Sequence, residues 1–210
     1  MTESAPLARP QLRRLLRDAR RALTPAQQRD AARGLYRQLA QNPLFRRARH
    51  IALYLPNDSE IDPRLLLAEA QRRGKKTYLP VLSAWPRTKM VFQRVRAGEA
   101  YRRNRFRIQE PHIVPARQRA VWALDLVLVP LVGFDEVGNR LGMGGGFYDR
   151  SLAYLRRRSA WQKPVLLGLA HECQKVERLT QASWDVPLQG TVSDKRWYLS
   201  KQLPLACDGR

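Results

Sequence analysis

Cysteine is scarce in this sequence: Cys173 and Cys207 are the only two in 210 residues. That excludes a disulfide framework and a CxxC metal pair, and nothing points to an oxidising compartment. No apolar run approaches the roughly 18 residues that a membrane span needs. The opening MTESAPLARPQLRR lacks the apolar stretch of a secretory signal. A soluble, cytoplasmic protein with no membrane partner is expected. The three histidines, His50, His112 and His171, are scattered without ligand or triad spacing and are read as structural. Acid is scarce too, with 18 Asp and Glu against 39 Lys and Arg, a formal net charge of +21 and a pI near 11.2. Of the basic residues 32 are arginine, spread along the whole chain, with 12 arginines against 3 acids in the first 49 residues. Such a charge raises nucleic acid as a partner. Spread charge fits a solvated basic surface better than a dedicated stripe, so no specific nucleic acid is expected.

What is present is enough to build a core. With 44% hydrophobic residues, the whole chain, 1–210, is read as one domain. Leu12, Leu15, Leu16, Ala19, Ala22 and Leu23 recur at helical spacing, which predicts an amphipathic helix with arginines outward. Thr24, Pro25 and Gln27 supply the cap, first position and capping-box spacing of a second helix that stops near Asn42-Pro43. HIALYLP from His50 reads as a strand, RLLLAEAQRRG after Asp62-Pro63 as a helix closed by Gly74, and KTYLPVL from Lys76 as the next strand. This order predicts an α/β fold with a mostly parallel central sheet flanked by helices. The expected architecture is Rossmann-like and three-layered, with an N-terminal helical pair. MVFQRV reads as a strand and GEAYRRNRFRIQEP as a turn and extended arm. Leu124 to Phe134, LDLVLVPLVGF, is the most apolar stretch and reads as a central strand buried on both faces. FYDRSLAYLRRR follows as a helix, PVLLGLAH as a buried strand, and ASWDVPLQGTVSD as a loop before a short strand near Trp197 and Tyr198.

Between the apolar strand and the next helix lies DEVGNRLGMGGGFYDR, at the carboxyl end of a strand, where open α/β sheets gather ligands. Glycines at 142, 144, 145 and 146 let successive backbone N–H groups converge on an anion ahead of a helix N-terminus. Arg140 adds a forked cationic donor suited to phosphate. The GxxxxGK[ST] pattern fails for want of a lysine and hydroxyl, and the GxGxxG spacing is absent. A flexible strand-to-helix turn fits the glycines as well as a phosphate site does. Asp149 fits either Mg²⁺ held between carboxylate and phosphate oxygens or stabilisation of the first helical turn.

RLGMGGGFYDR closely resembles the signature of the 5-formyltetrahydrofolate cyclo-ligases, also called methenyltetrahydrofolate synthetases. The resemblance extends through RRALTP, ALYLPNDSEID, RFRIQEP, LVPLVGFDEVGNRLGMGGGFYDR, GLAHECQ and SWDVPLQGTVSD, omitting only the first few residues and the last dozen. It implies an α/β fold in which ATP and a reduced folate meet over the glycine loop, with Mg²⁺ bridging the nucleotide phosphates. By that resemblance Arg9 and Arg13 contact the nucleotide. Arg140, Leu141, Gly142, Met143, Gly144, Gly145, Gly146, Phe147 and Tyr148 form the ATP loop, of which Met143 to Phe147 also face the folate. Asp149 and Asp185 match metal-binding carboxylates, Arg140 and Asp149 would carry catalysis, and Leu55 and Glu60 contact the folate. A solvated helix face for Arg9 and Arg13, core packing for Leu55 and a solvated Glu60 are the plain alternatives. The chain departs from the family twice. Met143 and Gly145 stand where a second basic residue is frequent, and Arg107 stands where glycine is common. The first departure leaves Arg140, Arg13 and Mg²⁺ to neutralise the γ-phosphate.

The implied reaction starts with the formyl oxygen of 5-formyltetrahydrofolate attacking the γ-phosphate of ATP. Ring closure by the neighbouring nitrogen then expels phosphate, giving 5,10-methenyltetrahydrofolate and ADP. No protein nucleophile is needed, because phosphoryl transfer depends on positioning and charge stabilisation. ATP and folate are anionic, which a basic field suits. These two are the expected partners of a monomer. A basic nucleic-acid module presenting RRNRFR beside Tyr101 and Phe106, and an enzyme using the loop for another phosphorylated ligand, are competing readings. Neither accounts for the spacing shared along the chain.

Overall fold

The Thr24 hydroxyl accepts the Gln27 backbone N–H at 3.3 Å, and the Gln27 side chain accepts the Thr24 N–H at 2.8 Å. The second helix therefore starts where its capping box predicts. The computed structural model describes residues 7–83, 88–157 and 163–200. The opening of the chain, Arg158 and the tail carrying Cys207 lie outside the described residues. In chain order the elements are α1 (Arg9–Arg21), α2 (Pro25–Leu39), α3 (Pro43–Arg47), β1 (His50–Ala52), α4 (Arg64–Arg72), β2 (Lys76–Leu82), β3 (Met90–Val95), β4 (Tyr101–Arg103) and β5 (Gln109–Pro111). They continue with β6 (Gln118–Arg119), β7 (Leu126–Pro130), β8 (Gly133–Phe134), β9 (Arg140–Leu141), α5 (Phe147–Leu152), β10 (Val165–Leu169), β11 (Gly190–Val192) and β12 (Trp197–Leu199).

Eight strands form one sheet in the order β12-β11-β10-β7-β1-β2-β3-β6. The run from β11 to β2 is parallel, and the outer pairings through β12, β3 and β6 are antiparallel. On one face Leu35, Leu39, Phe45, Leu66 and Ala70, from α2, α3 and α4, pack against Ile51, Leu79, Leu128 and Leu167. On the other, Leu152 of α5 joins Leu124, Val186 and Leu188 over Ala52, Phe92, Val127 and Leu166. The mostly parallel, three-layer expectation is met, although irregular chain supplies much of the second outer layer. From β1 the chain moves out to β2 and later returns as β7 on the other side of β1, so the order reverses there. Loops leave the carboxyl ends at that reversal, the position at which α/β sheets bind ligands.

Several boundaries differ from the sequence reading. The apolar run 124–134 is not one strand. Leu131 N still donates to Leu169 O, but Val132 N turns to Leu141 O, and β8 pairs with β9 in a hairpin off the sheet. Leu16 of α1 covers that hairpin in a small core with Val132, Leu141 and Leu179. The two N-terminal helices are thus consecutive but serve different places: α2 covers the sheet, whereas α1 lies over the loops. Asn42-Pro43 is a start, because the Asn42 side chain accepts Leu44 N at 2.9 Å and caps α3. The arm at 101–111 is the β4–β5 hairpin, and the helix after the glycines ends at Leu152 in a 3₁₀ turn. None of the described helices is long and apolar enough to cross a membrane.

Candidate active site

Arg9, Arg13, Arg17 and Arg20 follow each other at four-, four- and three-residue spacing, so α1 presents them along one side. They bind three loops together. Arg9 Nη1 donates to Asp185 Oδ2 at 3.1 Å and to Thr180 O at 3.3 Å. Arg13 Nε donates to Gly142 O at 2.8 Å. Arg17 Nε reaches Asp58 Oδ2 at 2.7 Å, and Arg20 grips Asp58 through its carbonyl at 2.8 Å and its carboxylate at 3.1 Å. Arg20 also donates to Leu131 O at 3.3 Å, and none of its side chain is exposed. Arg21 completes the cluster on Asp58. Burial raises the Asp58 carboxyl, but hydrogen bonds from Arg17 and Arg21 and the charge of Arg20 outweigh it and hold the group below its usual range. Asp58 and Ser59 sit in the left-handed region, at φ of 51° and 59°, and this clamp holds them there.

The glycine loop leaves β9 beneath Arg13. Gly144 and Gly146 have φ of 96° and 62°, where a side chain is strained. A Cβ on Gly142 would meet nothing within 4 Å, so the backbone there borders open space. One on Gly144 would come 3.4 Å from the Arg13 guanidinium carbon. At the root of the loop Arg140, almost wholly buried, donates through Nε to Val186 O at 3.0 Å and pairs through Nη2 with Asp149. Asp149 Oδ1 also accepts Val186 N at 3.2 Å. Burial lowers the Arg140 pKa, while Asp149 and Asp185 act in the opposite direction. Phe147 meets Phe106, from the tip of the β4–β5 hairpin, edge to face at 6.1 Å, and the arm therefore reaches the loop.

Glu60 is half-buried and its Oε2 accepts Asn57 N at 3.1 Å. Burial pushes its carboxyl up to about 7 against the opposing charge of Arg20. Burial raises the Tyr148 hydroxyl well above its usual range, and the Glu60 charge adds to this. Leu55 is half-buried against the core under α2 and α4. A proton bound by folded Glu60 between pH 4.5 and about 7 is released by the unfolded chain. Rising pH across that window therefore costs stability. Glu60→Gln removes this contribution, so wild type should lose stability relative to the variant as pH rises through the window. Urea denaturation at both ends checks this, and parallel curves would refute it.

The structure thus brings together Arg9 with Asp185, Arg13 with Gly142, and Arg140 with Asp149. Among the described residues no group of three or more His, Cys, Asp or Glu side chains is placed to hold a metal. Asp149 is paired with Arg140 and Asp185 with Arg9, so Mg²⁺ there would share each carboxylate with an arginine and take its other ligands from phosphate and water oxygens. Sequence reading missed the Arg17, Arg20, Arg21 and Asp58 cluster. Its signal was Arg20 itself, which interrupts the apolar stripe between Leu16 and Leu23. His171 is also structural. It is buried and its Nε2 lies 3.2 Å from Ser59 O, steadying the same loop.

A family model described as the 5-formyltetrahydrofolate cyclo-ligase family matches residues 6–194. The chain is 37% identical over 184 residues to the 5-formyltetrahydrofolate cyclo-ligase of Escherichia coli K12, covering 87% of this chain and 98% of that one. To the Haemophilus influenzae protein of the same name it is 38% identical over 180 residues, covering 86% and 94%. The solved structure of Aquifex aeolicus 5,10-methenyltetrahydrofolate synthetase is 28% identical and superposes with a TM-score of 0.78, over 97% of this chain and 95% of that one.

Proposed function

The chain belongs to the 5-formyltetrahydrofolate cyclo-ligase family, and we propose that it converts 5-formyltetrahydrofolate to 5,10-methenyltetrahydrofolate at the expense of ATP, through a phosphorylated formyl intermediate. The observation that carries this reading is the open backbone at Gly142 beneath Arg13, with Arg140 and Asp149 paired at the root of the same loop. Arg9 and Arg13 lie where a triphosphate lying over residues 140–148 would meet positive charge. The loop N–H groups need no side chain to move aside at Gly142. Asp149 and Asp185 would hold Mg²⁺, which supplies charge neutralisation between phosphate oxygens. Glu60, with a carboxyl near neutrality, can accept from the donor edge of the pterin when ionised.

In this scheme the formyl oxygen forms a bond to the γ-phosphorus as the bond to ADP breaks. The neighbouring folate nitrogen then bonds the activated carbon and gives up its proton to solvent or phosphate, and phosphate leaves with the oxygen. The protein's work is to align the two substrates and to balance developing charge, which requires none of its side chains as nucleophile. The same reading takes residues 1–210 as one monomeric domain acting in the cytoplasm. Purified protein with 5-formyltetrahydrofolate, ATP and Mg²⁺ should generate the near-ultraviolet absorbance of the methenyl product. Omitting ATP or adding chelator should abolish it. Folded protein that makes no product under these conditions would sink the assignment.

A further inference from the structure

Charge that is spread along the sequence is gathered by strand register on one face of the sheet. His50 pairs with Lys76, Tyr78 with Arg94, and Phe92 with Arg119. Paired residues point to the same face, as do residues two apart on one strand. Lys76, Arg94 and Arg119 therefore share the face of the sheet that carries Tyr78 and Phe92, with Lys76 and Arg94 toward the amino end of β2 and Arg119 further along, level with Phe92 and Pro80. Arg96 follows just beyond the end of β3, exposed. The cations are close enough to act on one another's neighbours. Burial, Arg119, Lys76 and Arg94 all lower the His50 pKa, with Asp125 opposing, and Arg119 and Arg94 both act on Tyr78. The acids nearby are already engaged: Asp125 accepts the N–H groups of Arg49 and His50 and pairs with Lys163, and Glu99 pairs with Arg117.

An exposed indole belongs to the same surface. Trp122 is 53% exposed in the short turn Val121–Ala123, which Arg119 fixes by donating through Nε to Ala123 O at 2.7 Å. The next residues lead straight into the His50 end of β1, since Asp125 N donates to His50 O. Cations around an accessible aromatic ring match a charged backbone carrying flat bases, and only an unpaired base can lay its face on the ring.

We propose that Lys76, Arg94, Arg96 and Arg119, together with the exposed Trp122 in the turn that Arg119 fixes, form a binding face for single-stranded nucleic acid, with phosphates on the cations and a base stacked on the indole. Lys76, Arg94 and Arg96 lie away from the start of β3, where Arg150 joins Thr88 to Gly145 of the glycine loop, and binding here is independent of the reaction there. Binding of dye-labelled single-stranded DNA and RNA of about 12 nucleotides is measured by anisotropy between about 50 and about 200 mM salt. The logarithm of the affinity should fall with the logarithm of salt at a slope of about −2 to −3, as expected for up to four neutralised phosphates. Arg94→Ala and Lys76→Ala should each reduce the slope by about 0.7. Trp122→Ala should weaken binding at least about fivefold and leave the slope unchanged. Melting temperature reports that each variant is folded. Absence of binding at the lowest salt, unchanged affinity in Trp122→Ala, or an unchanged slope in the arginine and lysine variants overturns the proposal. So does binding to phosphatidylserine vesicles without binding to either oligonucleotide.

Discussion

Arg140→Met is expected to reduce kcat/KM for ATP-dependent cyclisation by about 10²–10³, the range for removing one pre-positioned charge donor from a transition state. The guanidinium serves two fixed directions at once, Nε to Val186 O at 3.0 Å and Nη2 to Asp149. Methionine fills much of the volume but supplies neither bond nor charge. Arg140→Lys keeps the charge as a single point and cannot satisfy both directions, so it should recover only part of the loss. The larger effect should fall on kcat, because neutralising the transferred phosphoryl group matters most as the bond to ADP breaks. Steady-state kinetics at saturating ATP and Mg²⁺, with melting temperature to verify folding, decide the matter. Activity within threefold of wild type would remove Arg140 from the proposed machinery. The absence of a second basic residue in the loop sharpens this expectation, since Met143 and Gly145 offer no substitute charge.

Local features of the sequence were legible because their causes are local. The capping box at Thr24, the glycine closing α4 and the alternation of strand, helix and strand each depend on residues a few positions apart, and each appears in the fold. The glycine loop was visible for the same reason: four glycines between an apolar strand and a helix need no tertiary knowledge to be noticed. The run from Leu124 to Phe134 misled because apolar continuity does not record a change of partner, and Val132 leaves Leu169's strand for Leu141. Asp58 gave no sign of its role. Its three arginine partners lie on α1, and only the docking of that helix over the β1 loop brings them together. The raised carboxyl of Glu60 was equally invisible, since burial is a property of the folded chain and not of the residue. Its polar loop half-buries it within the field of Arg20.

Arg20 shows how much of the site depends on such non-local contacts, and its removal should destabilise the fold markedly. Arg20→Ala leaves a void where a fully buried side chain stood and strips a donor from Asp58 O. Large-to-small replacement of this kind costs about 3 kcal/mol, which for a chain of this size lowers Tm by about 6–12 °C. Two of the partners retain other bonds: Leu131 O still accepts from Gln174 at 2.8 Å, and the Asp58 carboxylate keeps Arg17 and Arg21. The cost should therefore be that of a cavity and one orphaned carbonyl, not of an unpaired buried charge. Arg17→Ala acts on the same carboxylate from a half-exposed position and should cost less than about 1 kcal/mol. Arg20→Met restores most of the volume and should recover much of the stability. It should not recover affinity for folate, because the left-handed Asp58 then loses the donor to its carbonyl and Glu60 loses the cation that opposes its protonation. Equal melting temperatures for Arg20→Ala and Arg17→Ala would mean that the clamp is shared evenly along α1. A Met variant with wild-type KM for folate would mean that the loop keeps its shape without the buried guanidinium.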